Sequence, residues 1–323
     1  MKEGWCYGTP NLTKIIISPS NGQYEFKEDK YLICKSDEND DEFDTLLFVR
    51  RDINEFSIPS NIKIISSNAF SSSNIKSVFI PSNVTKICKY AFSNCGYLIK
   101  VDIPTNSNLQ TIESNAFSYS NIKSIFIPSN VTKICEYAFS SCKNLIKVNI
   151  PTNSNLQTIE KDAFSYSYIE SIFIPSNVTK ICEYAFSDCK NLIKVDIPTN
   201  SNLQTIESNA FCVTNIESIF IPSNVIKICE SAFSDCENLI KVDIPTNSNL
   251  QIIESNAFYK SNIKSLFIPS NVTKICKSAF SYCKNPRIIE ISEESELKSL
   301  PVTVFEGSPQ LIVMIPSSLR KLI

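Results

Sequence analysis

The sequence predicts a solenoid, one coil repeated along the chain, and three observations predict it. Ala-Phe dipeptides recur ten times, with phenylalanines at 70, 92, 117, 139, 164, 186, 211, 233, 258 and 280, so the steps alternate between 22 and 25 residues. Each step carries apolar residues at i, i+3 and i+5 followed by proline, as in Ile122, Ile125, Ile127 and Pro128, or Leu145, Val148, Ile150 and Pro151. Two further apolar positions precede each dipeptide, such as Val131 and Ile134 or Leu156 and Ile159. A period in the twenties marks a coil that cannot bury its own apolar face and stacks on its neighbours to make a core.

Taken in chain order, residues 1–56 break the period and form a divergent repeat region. Within it, Tyr24 to Cys34 and Thr45 to Phe56 read as extended runs around an acidic loop, Asp37 to Asp44. A calcium loop needs glycine at its sixth position, where Glu42 stands, so this loop reads as solvated. The chain starts in mid-coil, with no recognisable polar cap at that end. Residues 57–284 form the regular array. The β-branched i, i+3, i+5 set predicts a strand whose i+3 and i+5 residues face inward, and the following proline, lacking a donor, ends its ladder. Ile-Pro or its relic at 58, 80, 103, 127, 150, 174, 197, 221, 244, 268, 291 and 315 gives twelve strands. In the longer coils Thr152-Asn153-Ser154-Asn155 replaces Ser129-Asn130, an insertion of turn-forming residues. Residues 285–323 read as degenerate C-terminal repeats.

These strand and turn signatures are those of a leucine-rich-repeat solenoid: one parallel sheet, short helical or 3-10 turns on its convex side, and about 12 coils. Ile122-Lys123-Ser124-Ile125-Phe126-Ile127-Pro128 through Ala138-Phe139-Ser140-Ser141-Cys142, repeated from 53 to 283, resembles the BspA-like leucine-rich-repeat family. The family differs in often having glycine where cysteine stands here. The resemblance implies a surface antigen or adhesin that binds a host or partner protein.

Composition narrows the chemistry. Histidine is absent and only five glycines occur, which removes the usual general base, the Ser-His and Cys-His pairs and a phosphate-cradling loop. No catalytic residue, metal site or cofactor is expected. A net charge of -2 offers no electrostatic footprint for nucleic acid. No apolar run is long enough to span a membrane and Met1 opens no classical export signal, so the residues alone do not choose between cell surface and cytoplasm.

Ten of the thirteen cysteines are periodic. Cys95, Cys142, Cys189, Cys236 and Cys283 alternate with Ser73, Ser120, Ser167, Thr214 and Ser261, a register that wants a small buried group bonding the backbone. Cys88, Cys135, Cys182, Cys229 and Cys276 share theirs with Glu113, Glu160, Glu207 and Glu254, which predicts partial exposure. Neighbours in either column lie two coils apart, beyond disulfide reach. Sequons at Asn11, Asn83, Asn130, Asn177 and Asn271 are possible glycosylation sites if the protein is secreted, whereas Asn224 loses its sequon to Ile226.

Strand alternation turns Phe79, Phe126, Phe173, Phe220 and Phe267 outward. Rows of Lys100 with Asp102, Lys147 with Asn149, Lys194 with Asp196, and Lys241 with Asp243 separate them. This amphipathic stripe is the expected ligand-binding surface for a protein partner, whether host or self. The competing reading is a structural or antigenic array without a fixed ligand, in which phenylalanine merely suits a strand surface.

Overall fold

The computed structural model describes residues 4–18, 20–37, 42–283, 288–308 and 312–317. Backbone contacts divide the chain into two compact units, Met1–Leu156 and Gln157–Ile323. Each is a stack of parallel-strand coils, as expected.

Every regular coil contributes a first strand from its i, i+3, i+5 segment and a two-residue second strand before the Ala-Phe turn. In the second unit the first strands run in order from Ser171–Phe173 through Lys194–Asp196, Ser218–Phe220, Lys241–Asp243, Ser265–Ile268 and Ile288–Ile291 to Ile312–Met314. The second strands, from Thr158–Ile159 to Lys274–Ile275, pair in parallel on their own. One detail therefore differs from the expectation of a single sheet backed by helical turns. The coil carries two ladders, and Val302–Phe305 is the one 3-10 helix among the described residues.

Hydrogen bonding in the Ala-Phe turn explains the missing helix. Tyr184, Phe186 and Asp188 donate their N–H groups to Ser208, Ala210 and Cys212 of the next coil, at 3.1, 2.8 and 2.9 Å. The intervening Ala185 and Ser187 donate three residues back within their own turn. A helix would need all these donors for itself. Alternating them forces a left-handed residue two positions before and two after each phenylalanine, as at Tyr184 (φ 55°) and Asp188 (φ 56°).

Stacking then lines up the core. The Ala-Phe rings are 0–2% exposed. In the first unit Phe70, Phe92, Phe117 and Phe139 follow at 4.6, 4.9 and 5.3 Å between centroids. In the second, Phe164, Phe186, Phe211, Phe233, Phe258 and Phe280 follow at 5.1–5.4 Å and within 5° of parallel. Phe305 adds a looser last ring at 5.9 Å, so the degenerate C-terminal segment still supplies a coil. The longer coils close their insertion with a buried serine: Ser201 Oγ accepts the Leu203 N–H and Ser248 Oγ that of Leu250, both at 3.2 Å.

The N-terminal region supplies the cap that the sequence does not announce. Tyr24–Lys27 pairs antiparallel with Tyr31–Cys34, which pairs antiparallel with Thr45–Val49. Thr45–Val49 then runs parallel to Ile64–Ile65 and covers the first coil. Buried Arg51 donates to the carbonyls of Ala69 (2.8 Å) and Asn68 (3.0 Å) and lies 4.7 Å from the Phe48 ring centroid. The Val49 N–H gives the Ala69 carbonyl the backbone donor that a preceding coil gives elsewhere, at 3.0 Å, and the guanidinium adds to it. Of the acidic loop, residues 38–41 lie outside the described residues. Asp44 is buried and accepts the Ser36 N–H (3.0 Å) and hydroxyl (2.9 Å), a structural role.

Phe211→Ala removes a ring stacked on both sides and is expected to cost about 3–5 kcal/mol. Urea unfolding measures it, and a midpoint equal to the parent's contradicts the stack. Val213 is a β-branched residue held at φ 58°. Val213→Asn, matching Asn94 at the same register, is expected to gain about 1 kcal/mol by relieving that strain, read as a raised melting temperature.

Candidate interaction face

The outward rows assemble as the alternation requires. In the second unit Phe173 pairs with Asp196, Phe220 with Asp243 and Phe267 with Glu290 across adjacent strands. In the first, Phe79 pairs with Asp102 and Phe126 with Asn149. Phe79 is 43% exposed, while Phe126, Phe173, Phe220 and Phe267 are half-buried between their neighbours. The charged rows neutralise themselves: Lys100–Asp102, Lys194–Asp196 and Lys241–Asp243 are ion pairs of 2.6, 2.8 and 2.7 Å. Lys147 and Asn149 are both exposed, so that row alone carries a lysine without a carboxylate in its own strand. A depression of 230 Å³ opens beside Phe267, between Asp243 and Glu290. The face thus presents aromatic edges between internally paired charges in the rows of Lys100, Lys194 and Lys241, whereas Lys147 and Glu290 have no opposite charge in their own strands.

Other exposed apolar residues were not read from the sequence. Ile99, Ile146, Ile193 and Ile240 are 39–48% exposed one residue before the first strand. Tyr90, Tyr119, Tyr166, Tyr184 and Tyr282 are 39–61% exposed at the left-handed turn positions. The signal was available in the tyrosines' spacing, two residues before or two after a phenylalanine, but a two-residue strand period does not reach them.

The two cysteine columns separate only in part as predicted: the inner column is buried throughout, but two of the five thiols expected to be accessible are buried as well. Cys95, Cys142, Cys189, Cys236 and Cys283 are at most 2% exposed, and each thiol donates to the carbonyl of the preceding coil's phenylalanine, at 3.0–3.5 Å. Burial pushes Cys142, Cys189 and Cys236 up to about 12. In the other column Cys135, Cys182 and Cys276 are half-buried, but Cys88 and Cys229 are buried at 8% and 7%. Burial also raises Cys182 and Cys229 to about 11. The alternating glutamates bridge coils. Glu207 pairs with Lys180 and Glu254 with Lys227, both at 2.8 Å, and these contacts raise the two lysines. Each carboxylate also accepts a turn N–H of the preceding coil, from Glu183 (3.2 Å) and Glu230 (3.0 Å).

The sequon asparagines Asn11, Asn83, Asn130, Asn177 and Asn271 are exposed. Asn83, Asn130 and Asn271 donate Nδ2 to the carbonyls of Ser60, Ser107 and Ser248 one coil back, at 2.7, 3.1 and 2.8 Å. Asn224 makes the same bond to Ser201 at 2.8 Å without a sequon, so the asparagine serves stacking in its own right. Among the described residues no cluster of metal-ligating side chains occurs and no helix is long and apolar enough to cross a membrane.

A parallel solenoid with a half-buried aromatic face defines the class of a leucine-rich-repeat protein. The family profile described as BspA type Leucine rich repeat region (6 copies) matches residues 41–156, 110–222, 157–287 and 204–322, and the chain belongs to that family. Among solved structures, the pneumococcal vaccine antigen PcpA is 21% identical, with 90% of this chain and 87% of that chain covered and a TM-score of 0.55. A leucine rich cell surface protein from Faecalibacterium prausnitzii A2-165 is 21% identical over 96% and 97% of the two chains, with a TM-score of 0.43. A leucine-rich repeat protein from Bacteroides ovatus is 19% identical over 86% and 98%, with a TM-score of 0.42. At such identities the likeness to PcpA is one of fold. No curated protein sequence matches this chain.

The inner thiols predict an alkaline weakness. Unfolded thiols ionise near about 8.5, below the raised values in the fold, so stability is fully present below that pH and falls as pH climbs toward the folded values. Replacing Cys142, Cys189 and Cys236 with serine, the residue of the alternate coils, should preserve the fold. It should also flatten the loss between pH 8 and 10, about 2 kcal/mol per thiol at pH 10, as measured by urea unfolding at each pH.

Proposed function

We propose that this chain is a non-catalytic protein-binding or adhesion module that engages its partner through the outer face of the first strands. The observation that carries the reading is the alternation of half-buried phenylalanine rows with self-neutralised Lys-Asp rows. Covering the rings gains apolar burial, and the paired charges avoid the cost of desolvation where they stay at a solvated rim of the contact. Membership of a family of surface antigens and interaction modules supports the same reading. The partial burial of four of the five rings favours the rival reading, an antigenic array with no fixed ligand, and one experiment separates them. Phe173, Phe220 and Phe267 changed together to serine should leave the circular dichroism spectrum and melting temperature nearly unchanged. The variant should lose saturable capture of surface proteins, or self-association in sedimentation, that the parent shows. Unfolding of the variant, or retention of every interaction, counts against the proposal.

A further inference from the structure

A second face of the second unit carries a site that does not depend on the phenylalanine rows. Between the first and second strands, Asn202, Gln204, Asn249 and Gln251 surround a groove of 570 Å³, completed by Thr179, Asn224 and Ile226. Backbone bonds fix the order of its rows: Ile226 donates its N–H to the Gln204 carbonyl at 2.9 Å and accepts that of Gln251 at 2.8 Å. The rows of Gln204 and Gln251 therefore flank Ile226 and lie two coils apart, about 10 Å.

Three features of this groove go together. No ionised side chain lines it. The same registers hold Thr85, Asn108, Gln110, Asn130 and Thr132 in the first unit, so the repeat itself keeps this face free of charge. Asn224 commits its amide to Ser201, but among the described residues the amides of Asn202, Gln204, Asn249 and Gln251 make no hydrogen bond to the protein. Each offers a carbonyl acceptor and two N–H donors toward the groove. Finally, Ile226 is 43% exposed where Thr85, Thr132, Thr179 and Thr273 stand in sister coils, which places one apolar patch amid the carboxamides.

We propose that this groove binds a neutral oligosaccharide. Adjacent hydroxyls on a sugar each donate and accept, which a carboxamide matches with one side chain, and the C–H face of a ring suits the Ile226 patch. An anionic ligand would find no countercharge here, and an apolar one would leave the amides unpaired.

The test titrates the full chain, produced without glycosylation, with cellohexaose, maltohexaose and the N-acetylglucosamine hexamer by calorimetry. At least one is expected to bind saturably in the millimolar range or tighter. Gln204→Ala with Gln251→Ala should weaken it about tenfold or more, for two lost hydrogen bonds. The serine variant of Phe173, Phe220 and Phe267 should bind the sugar as the parent does, so failure of the protein-binding face is distinguishable. Circular dichroism checks the fold, and Asn202→Asp with Asn249→Asp, nearly unchanged in size, serves if the alanine pair unfolds. No saturable binding of any of the three sugars, or undiminished affinity in the folded variants, overturns the proposal.

Discussion

Everything in this fold depends on backbone donors being shared between coils. Within each unit, every second N–H across the Ala-Phe turns leaves its own coil for the next, which fixes coil-to-coil spacing at that of neighbouring strands. Phenyl rings held in that frame have no room to tilt, and they stack nearly parallel. The same sharing makes the turn residues left-handed, orients their tyrosines to solvent and leaves the turn carbonyls of the first coil to be paired by something other than a coil. The N-terminal strand Thr45–Val49 and Arg51 answer that need, with the Val49 backbone N–H on Ala69 and the Arg51 guanidinium on Ala69 and Asn68.

Much of this was legible because periodicity encodes burial directly. The first strands, the inward Ile and Val, the buried Ala-Phe rings and the small-residue register of Cys95 and its counterparts could all be read from spacing. The donor pattern of the turn could not. A run such as Cys-Glu-Tyr-Ala-Phe looks compatible with a helical turn, and only the identity of the hydrogen-bond partners, one coil away, decides otherwise. The cap escaped for a related reason. Arg51 acts through its side chain on the carbonyls of Asn68 and Ala69, a contact with no sequence period. The glutamate column was read as a sign of exposure alone, although its carboxylates also bridge coils and satisfy turn donors.

The candidate sites follow the same division. The phenylalanine rows were visible as an alternation within strands, and the structure adds that their charged neighbours pair internally. The carboxamide groove was invisible, because its members come from four successive coils and matter through the charges they lack. Periodic sequence thus advertises faces, while departures such as Ile226 mark individual places on them.

The alternation of long and short coils has a consequence for how such a chain can lengthen. Cys189 lies 3.4 Å from Ser167 and Cys236 3.3 Å from Thr214, and Glu207 meets Lys180 of the coil before it. These contacts join unlike coils. Inserting a single coil would bring two glutamate rows, or two thiol rows, side by side and set like against like along the junction. Inserting a pair restores every contact. The heritable building block is therefore the couplet of 47 residues, the sum of one 22-residue and one 25-residue step, and viable length variants of this chain should differ by whole couplets.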